Sequence, residues 1–399
     1  MRVLVTDGAE RAALAVVRSL GAAGFEVCVC AAAKRSLAGA SKWCRQELVI
    51  TDPRADRSRF AEQLADAVQS GRIDVLVPIS DASLLAVLQA PQRFQGIVVP
   101  FPPYEQCERV GNKALVAAVA AEVGIAIPAQ VVVSDSQQAG GPWADTLRFP
   151  VVLKPSRSTV ALDRGYGKFA VSYASSREEL SRVMYMLPAA AFPLLVQERI
   201  VGEGRGVFLL TWHGRVLAVF AHRRLREKPP AGGVSVCREA VAADAALVSR
   251  SADLLQRLQW NGVAMVEYKI QSGTNVPYLM EINGRFWGSL QLAIDAGVDF
   301  PVLLLDAVAG RPPRSALGYR VGVRSRWFWG DVDHLIARLR WSDQALGLPP
   351  GAPQRLRTFW EFLRAFGPGY REEVLRAGDP LPFVYETRDW LKDLWHATR

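Results

Sequence analysis

Apolar and polar positions along the first part of the chain alternate in the manner of a parallel sheet with connecting helices. Short β-branched runs predict strands, and apolar stripes at helical spacing predict helices. The predicted elements, in chain order, are strand 2–6, helix 10–23, strand 25–30, strand 47–50, helix 57–70, strand 73–79 and a helix starting near Asp81. This order predicts an α/β, Rossmann-like domain over residues 1–110.

The turn after the first predicted strand, Asp7-Gly8, lacks the G-x-G-x-x-G sequence of a dinucleotide-binding domain. We therefore expect this domain to shape a substrate cleft and not to hold a nicotinamide cofactor. Asp81 follows the predicted strand 73–79, where open parallel sheets place residues that contact ligands. The competing interpretation of Asp81 is a helix N-cap.

A different pattern begins at Gly111 and predicts an α+β domain with antiparallel sheet over residues 111–318. Two polar segments that contain glycine or proline, 156–168 and 226–233, are predicted to be mobile loops.

Residues 319–399 form an extension rich in tryptophan and arginine, for which the sequence predicts mostly helix. Its tryptophans are typical of core or docking residues. An acceptor pocket or a dimer contact are the alternatives, and a membrane-surface role is the least favoured of them.

Composition and charge narrow the classes of function. The 399 residues carry a net charge of +9, but the arginines form no dense run with interleaved aromatics. This pattern favours a basic surface around a site for anionic small molecules over a nucleic-acid or membrane interface. The five cysteines include no CxxC pair and indicate free thiols in a reducing compartment. With no signal peptide or spanning segment apparent, we expect a cytoplasmic protein.

Acidic and amide side chains interrupt two strand-like runs near residue 270. Glu267 lies within the apolar run 262–270. Glu281 lies in the run 277–282, and Asn283 directly follows that run, two residues after Glu281. Residues two apart share one face of a strand, so Glu281 and Asn283 point the same way, and an antiparallel neighbour would bring Glu267 beside them. Carboxylate and amide oxygens are suitable ligands for magnesium. The pattern therefore favours a metal site, and the competing interpretation is that these residues pair with arginines at the surface.

Two lysines have positions that suit phosphate binding. Lys154 ends the apolar run FPVVLK, and Lys113 stands in the first turn of a predicted helix. A lysine beside a flexible loop can meet a phosphate oxygen as a compact point charge. An ordinary surface lysine is the competing interpretation, and it is stronger for Lys113.

The order of these pieces resembles the ATP-grasp superfamily, in particular the carboxylate–amine ligases related to carbamoyl-phosphate synthase and D-alanine ligase. The resemblance runs from the start of the chain to about residue 315 and is carried by motifs in this order: NK, FPVVLKP, a loop with glycines, VQERIVGEG, HRRLREKPPAGG, VEYKI and MEINGRFWGS. It implies a Rossmann-like pre-ATP-grasp domain and an α+β ATP-grasp domain with two subdomains over residues 111–196 and 197–318. ATP would bind between these two subdomains.

The resemblance also implies roles for individual residues. ATP phosphates would contact Lys113 and Lys154, and Mg²⁺, with two ions expected and Mn²⁺ as a substitute, would bind the carboxylates and the amide already described. The other implied residues are Gln197, Glu198 and Ile200 at the adenine, Glu203 at the ribose, Arg285 at the transferred phosphoryl group, and Arg224 and Arg226 at phosphate or a substrate carboxylate. The loop 156–168 would close over the triphosphate.

The sequence departs from the family pattern at two places. Asn283 is followed by Gly284 where relatives commonly have proline, and the loop 156–168 has more serine and arginine and less glycine than is usual. The first departure spares the metal ligands, whereas the second leaves the loop's phosphate contacts open.

The function implied by the resemblance is an ADP-forming ligase that joins a small-molecule carboxylate to an amine through an acyl phosphate. Alternatives are an ATP-grasp enzyme with a thiol or other acceptor, and a non-catalytic module that binds ATP as a regulator. Replacing Glu281 by alanine separates these classes, because it should abolish turnover in either enzyme and should leave partner binding by the regulatory module intact. A homodimer is the expected assembly, with neither nucleic acid nor membrane as a partner.

Overall fold

The computed structural model describes residues 1–311, 318–349 and 351–397, without the side chain of the last residue. The predicted end of the family resemblance, near residue 315, lies outside these residues. The described chain is organised around a parallel sheet, two antiparallel or mixed sheets and a short hairpin.

The first hundred residues form a four-stranded parallel sheet with the strand order β3-β2-β1-β4. Its strands are β1 (Arg2–Val5), β2 (Glu26–Ala31), β3 (Cys44–Val49) and β4 (Val75–Val77), and the helices that follow them are α1 (Arg11–Ala22), α2 (Arg57–Ser70) and α3 (Asp81–Leu88). Apolar runs at β1, β2 and β4 are buried, as is usual for parallel strands covered on both faces. Helix α4 (Tyr104–Gly111) and helix α5 (Lys113–Glu122) lead out of this region.

A second, four-stranded antiparallel sheet follows, with the order β5-β10-β6-β9. It contains β5 (Gln130–Val133), β6 (Val151–Pro155), β9 (Ser172–Ala174) and β10 (Leu194–Glu198), together with helix α6 (Arg177–Met186) and the hairpin of β7 (Val160–Ala161) and β8 (Tyr166–Gly167). Alternate residues of β6 and β10 form a separate apolar core with α6, which includes Leu153, Leu180 and Val196.

The third sheet has seven strands in the order β15-β14-β11-β12-β13-β16-β17. Its strands are β11 (Gly202–Trp212), β12 (Arg215–Lys228), β13 (Val234–Ala240), β14 (Gly262–Gln271), β15 (Pro277–Asn283), β16 (Arg324–Arg326) and β17 (Tyr370–Glu372). Neighbours are antiparallel except for the parallel pair β16 and β17. Helices α7 (Ala245–Arg257), α8 (Leu290–Ala296) and α9 (Phe300–Val308) pack on this sheet and on α1.

The C-terminal extension is mostly helical but also completes the large sheet. It contains α10 (Phe328–Arg340), α11 (Arg355–Arg364) and α12 (Leu381–Ala397) in addition to β16 and β17. Its tryptophans divide into two groups: the ring of Trp329 stacks on Trp390 at 4.1 Å between α10 and α12, whereas Trp341 and Trp360 are exposed. The strands β16 and β17 were not predicted from the sequence, because three residues are too few to show a period.

The segment 156–168, predicted to be a mobile loop, is instead docked on the N-terminal parallel sheet. Tyr166 is buried in the apolar cluster of that sheet, its amide donates to the Arg54 carbonyl oxygen at 3.2 Å, and its hydroxyl donates to Gln89 at 3.0 Å. Arg57 reaches the Leu162 carbonyl oxygen. A buried aromatic ring in the polar segment is the anchor that the sequence interpretation missed.

Two further expectations are met in the described residues. All five cysteines are free thiols. None of the helices in the described ranges combines the length and apolar character needed to cross a bilayer.

Candidate active site

A cavity of about 440 Å³ lies between the second sheet and one face of the seven-stranded sheet. Most of the residues predicted from the sequence line it. They are Lys113, Lys154, Gln197, Glu198, Ile200, Arg224, Glu267, Glu281, Asn283 and Arg285. Residues more than a hundred positions apart therefore come together in one place, as the resemblance implied.

The acidic cluster is built by the pairing of β14 with β15. Glu267 lies directly opposite Glu281, and Asn283 lies opposite Met265, two residues further along the same face. The Asn283 amide donates to the Glu281 carboxylate at 3.1 Å, and its oxygen accepts from Arg285 at 3.1 Å. The alternation that predicted a shared face is thus observed.

Cationic side chains surround the two carboxylates. Lys113 Nζ lies 3.7 Å from Glu281 Oε2, and Arg224 Nη2 lies 2.5 Å from Glu267 Oε2. Burial alone would raise the pKa of Glu281, but the ammonium groups of Lys113 and Lys154 outweigh it and lower that pKa to about 2. Burial raises the pKa of Glu267, because Arg224 offsets only part of the desolvation. At neutral pH, Glu281 is a carboxylate whose charge is balanced by lysines.

This donor set fits magnesium. Two carboxylates and an amide oxygen on adjacent strands are hard oxygen ligands, and Mg²⁺ usually takes one or two carboxylates and completes its shell with phosphate and water. In the described ranges, no group of three or more histidine, cysteine, aspartate or glutamate side chains forms a metal cluster. The two carboxylates and the amide therefore form no all-protein cage, and the predicted metal ion would need a phosphate ligand or water to complete its shell.

The two lysines are not ordinary surface residues, since each is only 8% exposed. Asn112 caps helix α5 by accepting from the amides of Ala114 and Leu115, which fixes Lys113 at the first turn, where its ammonium donates to Ser158 at 2.6 Å. Lys154 ends β6 and donates to the Met280 carbonyl oxygen at 3.2 Å. Burial lowers the pKa of Lys154 to about 8, because nearby carboxylates only partly compensate its charge.

The residues expected at the adenine lie at the end of β10. The Gln197 side chain donates to Gln130, and the Glu198 carboxylate accepts from the Arg148 amide at 2.9 Å. Ile200 is buried beside them. The Glu198 amide also donates to the Ala129 carbonyl oxygen at 2.9 Å, and β10 is paired with a strand on each side, so the adenine contacts of these residues stay a prediction.

Glu203 does not join this cavity. It lies on the other side of β11, where it pairs with Arg205 at 2.9 Å and Arg223 at 3.4 Å. Its neighbour Gly204 faces Arg224 in the cavity instead. A register difference of one residue reverses the face of a strand, so the ribose role predicted for Glu203 has no geometric support.

Arg226 also lies elsewhere. Its guanidinium makes two hydrogen bonds to the buried Asp331 carboxylate, at 2.6 and 2.7 Å, and it lines a separate cavity near α10. The pairing of β12 with β13 is irregular between Arg224 and Arg226. This irregularity explains why two residues of the same strand, two positions apart, do not share a face.

Asp81 connects the N-terminal sheet to the cavity. The N-cap of α3 is Ser80, whose hydroxyl accepts from the Ser83 amide, so the cap interpretation of Asp81 is wrong. The Asp81 carboxylate instead lies 2.9 Å from Arg285 Nε. It lines both the central cavity and a second cavity of about 230 Å³ at the carboxyl ends of the parallel strands.

That second cavity shares Lys168, Arg285 and Gly288 with the first. Polar groups from the loops after β1 and β3 and from the docked segment line it, including Glu10 and Asp52. Two adjoining cavities that meet at Arg285 offer room for two molecules whose reacting groups lie side by side.

The sequence interpretation missed several residues of the central cavity. His222, Arg238, Trp287 and Lys269 line it. Arg238 lies across from Arg224 in the pairing of β12 with β13, and this pairing is visible only in the fold. His222 directly follows the apolar run 216–221 of β12 and shares a face with Arg224, and this was the signal available for His222.

Comparison with known proteins agrees with this geometry. Residues 191–328 match the family model described as ATP-grasp in the biosynthetic pathway with Ter operon, which covers less than half of the chain. A search of curated proteins finds no match.

Solved structures match over most of the chain. The biotin carboxylase domain of the 2-oxoglutarate carboxylase from Hydrogenobacter thermophilus, in complex with MgADP and bicarbonate, is 17% identical with a TM-score of 0.65, over 81% of this chain and 73% of that chain. An L-amino acid ligase from Bacillus licheniformis is 16% identical with a TM-score of 0.60, over 77% and 74% of the two chains.

A third structure, the N5-carboxyaminoimidazole synthetase from Staphylococcus aureus, is 13% identical with a TM-score of 0.59, over 80% and 79% of the two chains. At these identities the likeness establishes a shared fold. Together with the family match, it confirms the resemblance to the ATP-grasp superfamily that was drawn from the sequence.

Proposed function

We propose that this ATP-grasp protein is an ADP-forming ligase that joins a carboxylate to an amine through an acyl phosphate. The observation that carries the proposal is the single cavity in which Lys113, Lys154 and Arg285 surround Glu267 and Glu281. The similar solved structures include an L-amino acid ligase, and a biotin carboxylase domain bound to MgADP and bicarbonate.

The roles of the residues follow their positions. The triphosphate lies against Lys113 and Lys154, whose ammonium groups otherwise balance Glu281. The adenine lies at Gln197, Glu198 and Ile200. Magnesium held by Glu267, Glu281 and Asn283 would neutralise charge on the phosphate oxygens. The ribose contact remains unassigned in this proposal, because Glu203 lies on the other face of the sheet.

Arg285 occupies the junction of the two cavities. The carboxylate substrate attacks the γ-phosphorus, the bond from that phosphorus to the β–γ bridging oxygen breaks, and ADP leaves. Arg285 and Arg224 balance the charge that develops on the transferred group, and phosphoryl transfer depends mainly on such positioning and neutralisation. The amine then attacks the acyl carbonyl carbon, phosphate leaves, and the amine loses a proton.

The second cavity supplies the position for the amine. It opens beside Arg285 and is walled by the docked segment through Tyr166, Gly167 and Lys168. An acyl phosphate hydrolyses if water reaches it, so a wall that is fixed to the N-terminal sheet protects the intermediate. No serine, cysteine or histidine nucleophile is required by this sequence of steps.

The domain bounds belong to the same proposal: residues 1–110 as the Rossmann-like domain, 111–318 as the ATP-grasp domain and 319–399 as the extension. We further propose a cytoplasmic enzyme that acts on small molecules, as a homodimer.

The test is ATP consumption with magnesium across a panel of carboxylates and amines, with nucleotide and product analysed by mass spectrometry. The proposal expects ADP and phosphate only when both substrates are present, and a product whose mass is their sum less water. Formation of AMP and pyrophosphate would contradict it. Glu281→Ala should remove turnover, whereas Glu203→Ala, in the same sheet but outside the cavity, should retain it.

A further inference from the structure

The central cavity continues beyond the acidic cluster along one row of paired residues. Glu281 pairs with Glu267, Glu267 with Gly206, and Gly206 with His222. Neighbouring strands are about 4.8 Å apart, so Glu267 and His222 are separated by about 10 Å. A Cβ on Gly206 would lie 2.9 Å from the His222 ring, so glycine is what allows the ring to lie against β11.

Three side chains at this end of the cavity carry polar nitrogens without a hydrogen-bond partner. His222 and Arg238 are each 1% exposed and Trp287 is 2% exposed. Within the described residues, both ring nitrogens of His222, Nε of Arg238 and Nε1 of Trp287 have no partner. Buried polar groups are almost always paired in folded proteins, and an unpaired one is destabilising. Three of them in one cavity indicate a ligand.

These side chains are held together by packing. The Phe208 ring contacts the His222 ring at 4.8 Å and the Trp287 ring at 4.5 Å between centroids. Arg238 reaches the same cavity from β13, where it lies opposite Arg224. The cluster is therefore fixed before any ligand arrives, which is what a specific site needs.

The charge balance favours an anion. Arg238 is paired with Glu373, but the same carboxylate oxygen also lies 2.5 Å from Arg11 Nη1. One carboxylate thus serves two guanidinium groups, whereas Arg224, opposite Arg238, is already paired with Glu267 and Glu227. A buried excess of positive charge is costly unless a negative group joins it.

The donor types narrow the ligand further. Arginine and tryptophan N–H groups can only donate, and a neutral histidine offers one donor and one acceptor. The matching group needs at least two acceptor oxygens and a negative charge, which describes a carboxylate. The separation of about 10 Å between His222 and Glu267 leaves room for a short molecule that reaches from the His222 end of the cavity to the acidic cluster.

We propose that the carboxylate substrate is a dicarboxylate, whose reacting carboxylate lies at Arg285 and whose second carboxylate is bound by Arg238, Trp287 and His222. This inference rests on the proposed ligase function and gives it a substrate class. The three residues are specificity-determining, since the second carboxylate takes no part in the chemistry.

The experiment measures binding by calorimetry to the full chain with Mg²⁺ and a non-hydrolysable ATP analogue. The probes are dicarboxylates of four to six carbons, with and without an α-amino group, and monocarboxylates of the same lengths. At least one dicarboxylate is expected to bind about tenfold or more tightly than its monocarboxylate counterpart, since a site built for hydrogen bonds rejects an analogue that lacks them. Equal binding throughout the panel, or no dicarboxylate binding, overturns the inference.

Variants separate a binding role from a structural one. Trp287→Phe and His222→Leu are expected to remove most of the preference for the dicarboxylate while the affinity for the nucleotide changes less than about twofold. Because His222 has no partner to lose, His222→Leu should keep or raise the melting temperature. A lower melting temperature with unchanged preference would indicate a structural role and overturn the inference.

The matched control is Trp143→Phe. The Trp143 Nε1 group donates to the Gln138 carbonyl oxygen at 2.9 Å, outside the cavity, so this variant removes an indole N–H without touching the site. It should leave the dicarboxylate preference unchanged. An equal loss of preference in Trp143→Phe and Trp287→Phe would contradict the assignment.

Failure of the proposed ligase function and failure of the dicarboxylate assignment give different experimental results. Tight dicarboxylate binding that depends on Trp287 and His222, without ADP formation with any amine, would support the site and contradict the ligase. Turnover of monocarboxylates and dicarboxylates at equal kcat/KM would support the ligase and overturn the dicarboxylate assignment.

Discussion

The two faces of the seven-stranded sheet carry charged rows that differ by one residue along each strand. The cavity row is Glu281, Glu267, Gly206 and His222, and the outer ladder is Arg205, Arg223, Glu239 and Arg324. In the outer ladder, Glu239 lies between Arg223 and Arg324 and pairs with both of them, at 2.7 and 3.0 Å. In the cavity row, carboxylates are matched to cations from other elements, and polar atoms of His222 are unpaired.

This difference shows what separates a functional charged face from a structural one. A surface ladder satisfies its own charges, and each pair contributes little because water screens it. The cavity face keeps buried cations and carboxylates in positions that a nucleotide, a metal ion and an anion could complete. The order of the motifs identifies the strands that carry functional residues. The pairing register of each strand then decides which of its residues face the cavity.

The largest expected effect tests the cavity row. Glu281→Gln keeps the size of the side chain and removes a charge that would hold the metal ion in the proposed enzyme, so ADP formation should fall about a thousandfold, or about 4 kcal/mol. Steady-state kinetics with saturating Mg²⁺ and ATP measure this. Retention of more than a tenth of the activity would contradict the metal assignment.

The next effect concerns Arg226, two residues from Arg224 but turned away from the cavity. Arg226→Gln leaves the fully buried Asp331 with Arg326 as its remaining cation, and should lower the free energy of unfolding by about 3 kcal/mol. Chemical denaturation measures the loss, and kcat of the folded protein should be nearly unchanged. Arg224→Gln is the comparison, and its kcat should be lowered because Arg224 lines the cavity. A lowered kcat in Arg226→Gln with an unchanged kcat in Arg224→Gln would refute the placement.

A third effect lies at the junction of the large sheet with the C-terminal helix. Burial raises the pKa of Glu386 to about 7, although its carboxylate accepts a hydrogen bond from Trp327 Nε1. A raised acid pKa contributes stability that is present below the unfolded pKa and is lost as the pH rises through 7. Glu386→Gln should therefore be more stable than the parent by about 2 kcal/mol at pH 8.5 and equal to it at pH 4.5.

Thermal unfolding of the two proteins across this pH range measures the difference. A constant difference between the two stability curves across this pH range would show that the pKa of Glu386 is the same in the folded and the unfolded protein, and would contradict the prediction.

The smallest effect tests the outer ladder. Glu203→Gln removes a partner from Arg205 and Arg223, which are both partly exposed, and should change the unfolding free energy by about 0.5 kcal/mol or less. The KM for ATP should stay within about twofold of the parent value. A tenfold rise in that KM would restore the ribose role and contradict the face assignment.

Much of the fold could be predicted because buried strands are recognisable in the sequence as apolar, β-branched runs. The runs that became β1, β2 and β14 are apolar and β-branched, and the polar residues Glu267 and Glu281 mark the places where burial needs a chemical reason. The order of the motifs then predicted which distant segments meet in the cavity.

The remaining features depend on register and on contacts between distant segments. Glu203 and Arg226 were assigned to the site because a motif does not fix the face of each residue, and the irregular pairing beside Arg226 has no sequence signature. The docking of Tyr166 and the convergence of Arg238 with His222 require the complete fold.

The most direct test of the account follows an oxygen atom from the substrate to the phosphate product. With the substrate carboxylate labelled by ¹⁸O, an acyl phosphate transfers one labelled oxygen to inorganic phosphate during amide formation, and mass spectrometry should find one ¹⁸O per phosphate released. Unlabelled phosphate, or label in AMP, would contradict the acyl-phosphate ligase proposed for this cavity.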